Sequence, residues 1–113
     1  MMTLLFASLL AAPAAAQMER STISGVVKDQ QGGVVPGVTV TVTSLQTQQS
    51  RTTVTDASGF FTFSNLTPGR FDVVAELDGF KKSSRSGVQA DAGGTATVEL
   101  ALEPGAISET VTV

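Results

Sequence analysis

Any chemistry on this chain would have to come from carboxylates, hydroxyls or ammonium groups, because the sequence contains no His and no Cys. Without imidazole or thiolate there is no Ser-His-Asp triad, no thiol nucleophile and no His or Cys zinc site. Asp29, Asp56 and Asp78 each stand close to a glycine, in DQQGG, DASG and DG. To act as calcium ligands they would need further oxygens at short spacing, and Asp56-Ala57-Ser58-Gly59 lacks them. A turn role suits all three, since Asp bonds forward to backbone N–H groups while Gly takes positive φ. Ser83, Ser84 and Ser86 have no base near them in sequence. The expectation is a chain that is not an enzyme, with no catalytic residue, no cofactor and no metal.

Binding is the remaining class. Lys81, Lys82 and Arg85 form a small basic cluster that a charged, solvated edge strand explains. With 7 basic against 10 acidic residues and a formal charge of −3, the chain carries no nucleic-acid footprint. Carbohydrate binding is an alternative, but sugars stack on exposed Trp or Tyr, and both are missing here. Of the six Phe, alternation leaves Phe60 off the inward face and Phe80 ambiguous. These two are the candidate contacts for a protein partner.

The elements that would position them read as strands. Thr55–Val74 is the organising stretch: a turn at Asp56–Gly59, Phe61 and Phe63 on one face against Phe60 and Thr62 on the other, and a reversal over Asn65–Gly69 with Leu66 as a plug. Phe71, Val73 and Ala75 then resume the inward face. Before this unit come Ser21–Lys28, with Ile23, Gly25 and Val27 on one side, then a kink at Pro36-Gly37. Val38–Thr43 follows with Val38, Val40 and Val42 inward, and then Arg51–Thr55. After it come a turn at Leu77–Phe80, a polar edge strand Phe80–Ser86, and a loop Gly87–Gly94 with Val88 turned inward. Thr95–Leu102 follows with Ala96, Val98, Leu100 and Leu102 inward. Seven strands at intervals of roughly 8 to 12 residues predict an all-β, seven-stranded antiparallel β-sandwich.

Charge marks the ends of this unit. Residues 1–16, MMTLLFASLLAAPAAA, are uncharged and too short to span a bilayer, and they end in small residues as a signal peptide does, although the usual basic residues are missing from its start. The expected division is a signal peptide over 1–16, a leader over 17–20, the sandwich over 21–104, and 105–113 as a linker opening a following domain that is cut short. Export to the periplasm and outer membrane, or secretion, follows from that division.

The spacing Gly25-x-Val27-x-Asp29-x-x-Gly32, Val35-Pro36-Gly37-Val38-x-Val40, Thr55-Asp56-x-x-Gly59-x-Phe61-x-Phe63-x-x-Leu66, Gly69-x-Phe71-x-Val73 and Gly79-Phe80 resembles the carboxypeptidase regulatory-like domain. The resemblance implies a transthyretin-like sandwich; where the family often has Tyr, Phe71 and Phe80 stand here. A signal peptide, one such domain, then LEPG and ISETVTV is similar to the start of TonB-dependent outer-membrane receptors. There the domain is a periplasmic accessory module whose partners are neighbouring receptor domains, and the membrane is reached only through a C-terminal barrel. A stalk or adhesion unit of a surface protein is the structural alternative.

Overall fold

The computed structural model describes residues 19–105. The segment read as a signal peptide and the expected strand over 106–113 lie outside the described residues. The described part contains seven strands: β1 Ser21–Asp29, β2 Thr39–Ser44, β3 Ser50–Val54, β4 Phe60–Leu66, β5 Gly69–Glu76, β6 Ser83–Ala90 and β7 Thr95–Leu102. They form two sheets, one in the order β4-β1-β7 and the other β3-β2-β5-β6. The expected all-β, seven-stranded sandwich is what the chain builds.

Alternation does the sorting. Ile23 and Val27, Val40 and Val42, Phe61 and Phe63, Phe71, Val73 and Ala75, and Val98, Leu100 and Leu102 are all buried in one core cluster. Their neighbours along each strand face solvent. Each strand reverses the direction of the one before it. Every neighbouring pair is therefore antiparallel except β1 and β7, the single pairing of two odd-numbered strands, which run parallel from Thr22↔Thr95 to Asp29↔Leu102.

The turns take the chemistry their residues offer. Asp29 Oδ1 accepts hydrogen bonds from the Gln31 and Gly33 amides at 2.9 Å, and Asp56 Oδ1 from Ser58 and Phe60 at 2.9 and 3.0 Å. Asp78 lies in the Leu77–Phe80 turn, closed by the Phe80 amide on the Leu77 carbonyl at 3.0 Å, and its carboxylate accepts no bond among the described residues. The β4–β5 reversal is shorter than expected. The strand runs through Leu66, which is buried, and Asn65 takes a φ of 58°.

The edge strand after it needs redrawing. Instead of a strand over Phe80–Ser86 and a loop over Gly87–Gly94, β6 begins at Ser83 and continues through Gly87 to Ala90, leaving only Asp91–Gly94 as turn. A bulge explains the difference. Asp72 on β5 opposes two residues of β6, Ser86 and Gly87, and its Oδ1 accepts from the Ser86 hydroxyl at 2.8 Å and the Gly87 amide at 3.2 Å. Gly87 supplies the positive φ, 68°, and the pleat resumes out of phase.

Two positions fix close approaches between neighbouring segments. Gly25, in mid-β1, lies beneath the Phe61 ring, and a Cβ built there would overlap the Val98 carbonyl of β7. Buried Thr55 bridges the turn region: its Oγ1 accepts from the Val38 amide and donates to the Val35 carbonyl, both at 2.9 Å. Gly25→Ala is expected to lower stability in urea unfolding by about 1 to 3 kcal/mol through overpacking. Thr55→Val leaves a buried amide and a carbonyl without their hydroxyl partner and is expected to cost about 1 to 3 kcal/mol in the same measurement.

Candidate functional site

With no His or Cys in the chain and no cluster of three or more metal-ligating acidic side chains among the described residues, the surface has to be searched for binding. The sandwich has two poles. At the first, the chain enters through Glu19 and Arg20, beside the β2–β3 connection, the β4–β5 reversal and the Asp91–Gly94 turn. At the second lie the Asp29–Gly33 turn, Asp56–Gly59, Leu77–Phe80 and the exit at Glu103–Gly105.

The first pole holds a cleft of about 460 Å³. Val42, Leu66 and Phe71 form its apolar floor, and Arg20, Arg51 and Asn65 stand on its polar wall. Arg20 Nη1 donates to Thr67 Oγ1 at 3.0 Å. Arg51 lies with its guanidinium carbon 5.8 Å from the Phe63 ring centroid and donates through Nη1 to the Ser64 carbonyl at 2.7 Å. Neither guanidinium forms an ion pair among the described residues. Each keeps unused N–H donors, so the cleft can hold an anionic group such as a carboxylate. Among the described residues no carboxylate stands in its lining beside the hydroxyls.

Arg51 has a counterpart across the molecule. From β3, at one edge of its sheet, it reaches a backbone carbonyl of β4; from β6, at the other edge, Arg85 Nη2 reaches the Glu99 carbonyl of β7 at 3.0 Å. Each arginine closes an open side of the sandwich and blunts an edge strand. Just before β6, the two lysines of the basic cluster make exposed ion pairs, with Lys82 Nζ 3.1 Å from Glu76 Oε2 and Lys81 Nζ 3.7 Å from Glu103 Oε1. Sequence reasoning missed the cleft altogether. Its only local signal was a pair of arginines 31 positions apart.

The candidate contact residues separate. Phe60 is 44% exposed at the start of β4, opposite half-buried Val26 of β1, on the outer face of its sheet. Phe80 is half-buried, packs on the core cluster and bridges to Pro104. The structure does not bring the two together, and Phe80 is committed to the fold. With Phe60 the only exposed aromatic among the described residues, the flat aromatic platform used by sugar sites is not assembled.

Residues 22–103 match the family described as the carboxypeptidase regulatory-like domain. Over 100 residues the chain is 37% identical to the TonB-dependent transporter Oar of Myxococcus xanthus, a match covering 88% of this chain and 9% of that protein. The chain thus spans less than a tenth of that relative's length. Its fold is similar to that of the TIE protein of Bacillus anthracis, with a TM-score of 0.65, 19% identity, and coverage of 76% of this chain and 17% of the other. It is also similar to the catechol 1,2 dioxygenase of Acinetobacter radioresistens, with a TM-score of 0.64, 13% identity and coverage of 88% and 57%. At these identities the two structural likenesses concern fold alone.

The two phenylalanines should respond oppositely to truncation. Phe60→Ala is expected to change unfolding free energy by no more than about 0.5 kcal/mol, as surface substitutions do. Phe80→Ala is expected to lower it by about 2 kcal/mol or more, since it opens a gap against the core. Chemical denaturation of both variants checks the contrast.

Proposed function

The chain belongs to the carboxypeptidase regulatory-like domain family, and from that premise we propose that it is a non-catalytic accessory module of a TonB-dependent outer-membrane receptor. The observation that carries this reading is the 37% identity over 88% of the chain with a TonB-dependent transporter. In this reading residues 1–16 direct export and are removed, 17–20 are a leader, 21–104 form the module on the periplasmic side, and 105–113 lead into the next domain. The partners are neighbouring domains of the same receptor, and contact with the membrane falls to the receptor's barrel.

The site chemistry is consistent with this. The chain has no His or Cys, and among the described residues no three acidic side chains stand together as metal ligands would. What it offers is surface: exposed Phe60 beside Val26 on one sheet, and the arginine-lined cleft at the first pole. A stalk unit of a surface protein is the second reading, favoured by the entry and exit of the chain at opposite poles.

A photo-crosslinking side chain in place of Phe60, introduced into the whole gene product in cells, is expected to give an adduct identified by mass spectrometry as the receptor's own plug or barrel. The same side chain in place of Thr52, exposed on the other sheet, is the comparison. Equal adducts from both positions, or none from either, defeat the proposal. Tandem copies of the same domain in the reading frame beyond Val113 would transfer it to the stalk reading.

A further inference from the structure

The first and last strands of the domain are direct neighbours and run parallel, over eight register pairs from Thr22↔Thr95 to Asp29↔Leu102. The chain therefore enters β1 at one pole and leaves β7 at the other. Tension between the two ends pulls β1 toward its own N-terminus and β7 toward its own C-terminus, so the strands are driven past each other along their length. We propose that the domain is a load-bearing link, and that the β1–β7 ladder carries tension as shear. This goes beyond the accessory role and does not require a particular receptor.

Geometry makes that ladder resistant. Hydrogen bonds in a parallel pair are evenly spaced along the strands, so sliding loads them together, whereas peeling would break them one after another. Sliding by one residue, about 3.3 Å, also puts the alternation out of phase and would drive core side chains toward solvent. The side chains at stake are Val98, Leu100 and Leu102 on β7 and Ile23 and Val27 on β1, all buried. The strands between Gln30 and Gly94 lie outside the load path until this ladder fails.

Both ends of the path are tied down. At the entrance, the Gly93 amide donates to the Arg20 carbonyl at 3.0 Å and the Thr22 amide to the Gly94 carbonyl at 3.1 Å. At the exit, the Lys81 amide donates to the Glu103 carbonyl and the Gly105 amide to the Gly79 carbonyl, both at 2.8 Å. On the flanks of the ladder, Lys28 Nζ lies 3.2 Å from Glu99 Oε2, and Arg85 holds the Glu99 carbonyl from β6.

The chain has no Cys, so single attachment points can be introduced cleanly. The experiment is single-molecule stretching of the full chain, held at its N-terminus and at Val113→Cys, compared with the same chain held at its N-terminus and at Ala92→Cys. Ala92 is exposed in the turn before β7, so the second geometry peels the ladder from the entrance pole. Equal thermal melting of both variants establishes that the attachments leave the fold intact. End-to-end pulling is expected to need at least about twofold more force at equal speed. It is also expected to release the domain in one step of about 250 Å, the extended reach of the chain from Ser21 to Leu102 less its folded length. Equal or lower force end to end, or early release of β7 as a short separate step, overturns the proposal.

Discussion

Everything in this domain depends on two inward faces being pressed together without a disulfide to hold them. Val40, Val42 and Val73 on one sheet and Ile23, Phe63 and Leu100 on the other belong to a single buried cluster. Each such side chain contributes roughly 1.5 to 3 kcal/mol when taken out of water. The chain has no Cys for a disulfide, so this burial has to outweigh the conformational entropy of ordering the strands. The tolerance for error is small. The Gly25 site shows it, because a single methyl group there would meet the backbone of β7 and the ring of Phe61.

A two-layer sandwich has a second demand, which is that its open sides be closed. Each sheet ends in strands with unpaired backbone groups, and here arginines serve both sides. Arg51 reaches from β3 to the Ser64 carbonyl and lies over Phe63, and Arg85 reaches from β6 to the Glu99 carbonyl. Charge on an edge strand therefore does two things at once. It satisfies acceptors on the facing sheet and discourages pairing with another chain.

The opposite-pole arrangement joins fold to function. Seven strands, each reversing the last, oblige the first and seventh to point the same way, and placing them side by side makes one ladder the bridge between entrance and exit. That ladder is also backed by core, since Leu100 and Leu102 of β7 and Ile23 and Val27 of β1 are buried on its inner face. A module placed in series in a longer chain gains from this coincidence, because the bonds that close the sandwich also join its neighbours.

Much of this was legible in the residues. VTVTVT and TATVELAL announce strands with one buried face, because side chains two apart share a side whatever the strand pairs with. Asp29 and Asp56 announce their turns, because an Asx bond and a glycine at positive φ are local events. The strand Ser83–Ala90 was misjudged because its bulge is fixed by Asp72 on the neighbouring strand, 14 and 15 residues from Ser86 and Gly87, a partner that no local pattern reveals. Phe80 was ambiguous for a related reason: its burial comes from the core cluster and its bridge to Pro104, far along the chain. Periodicity and turn chemistry thus determined by themselves the fold class and the inward set. Only the tertiary structure decided the β1–β7 pairing, the edge-closing arginines and the cleft at the first pole, because each is made by groups from strands that are separate in the chain and meet only when it folds.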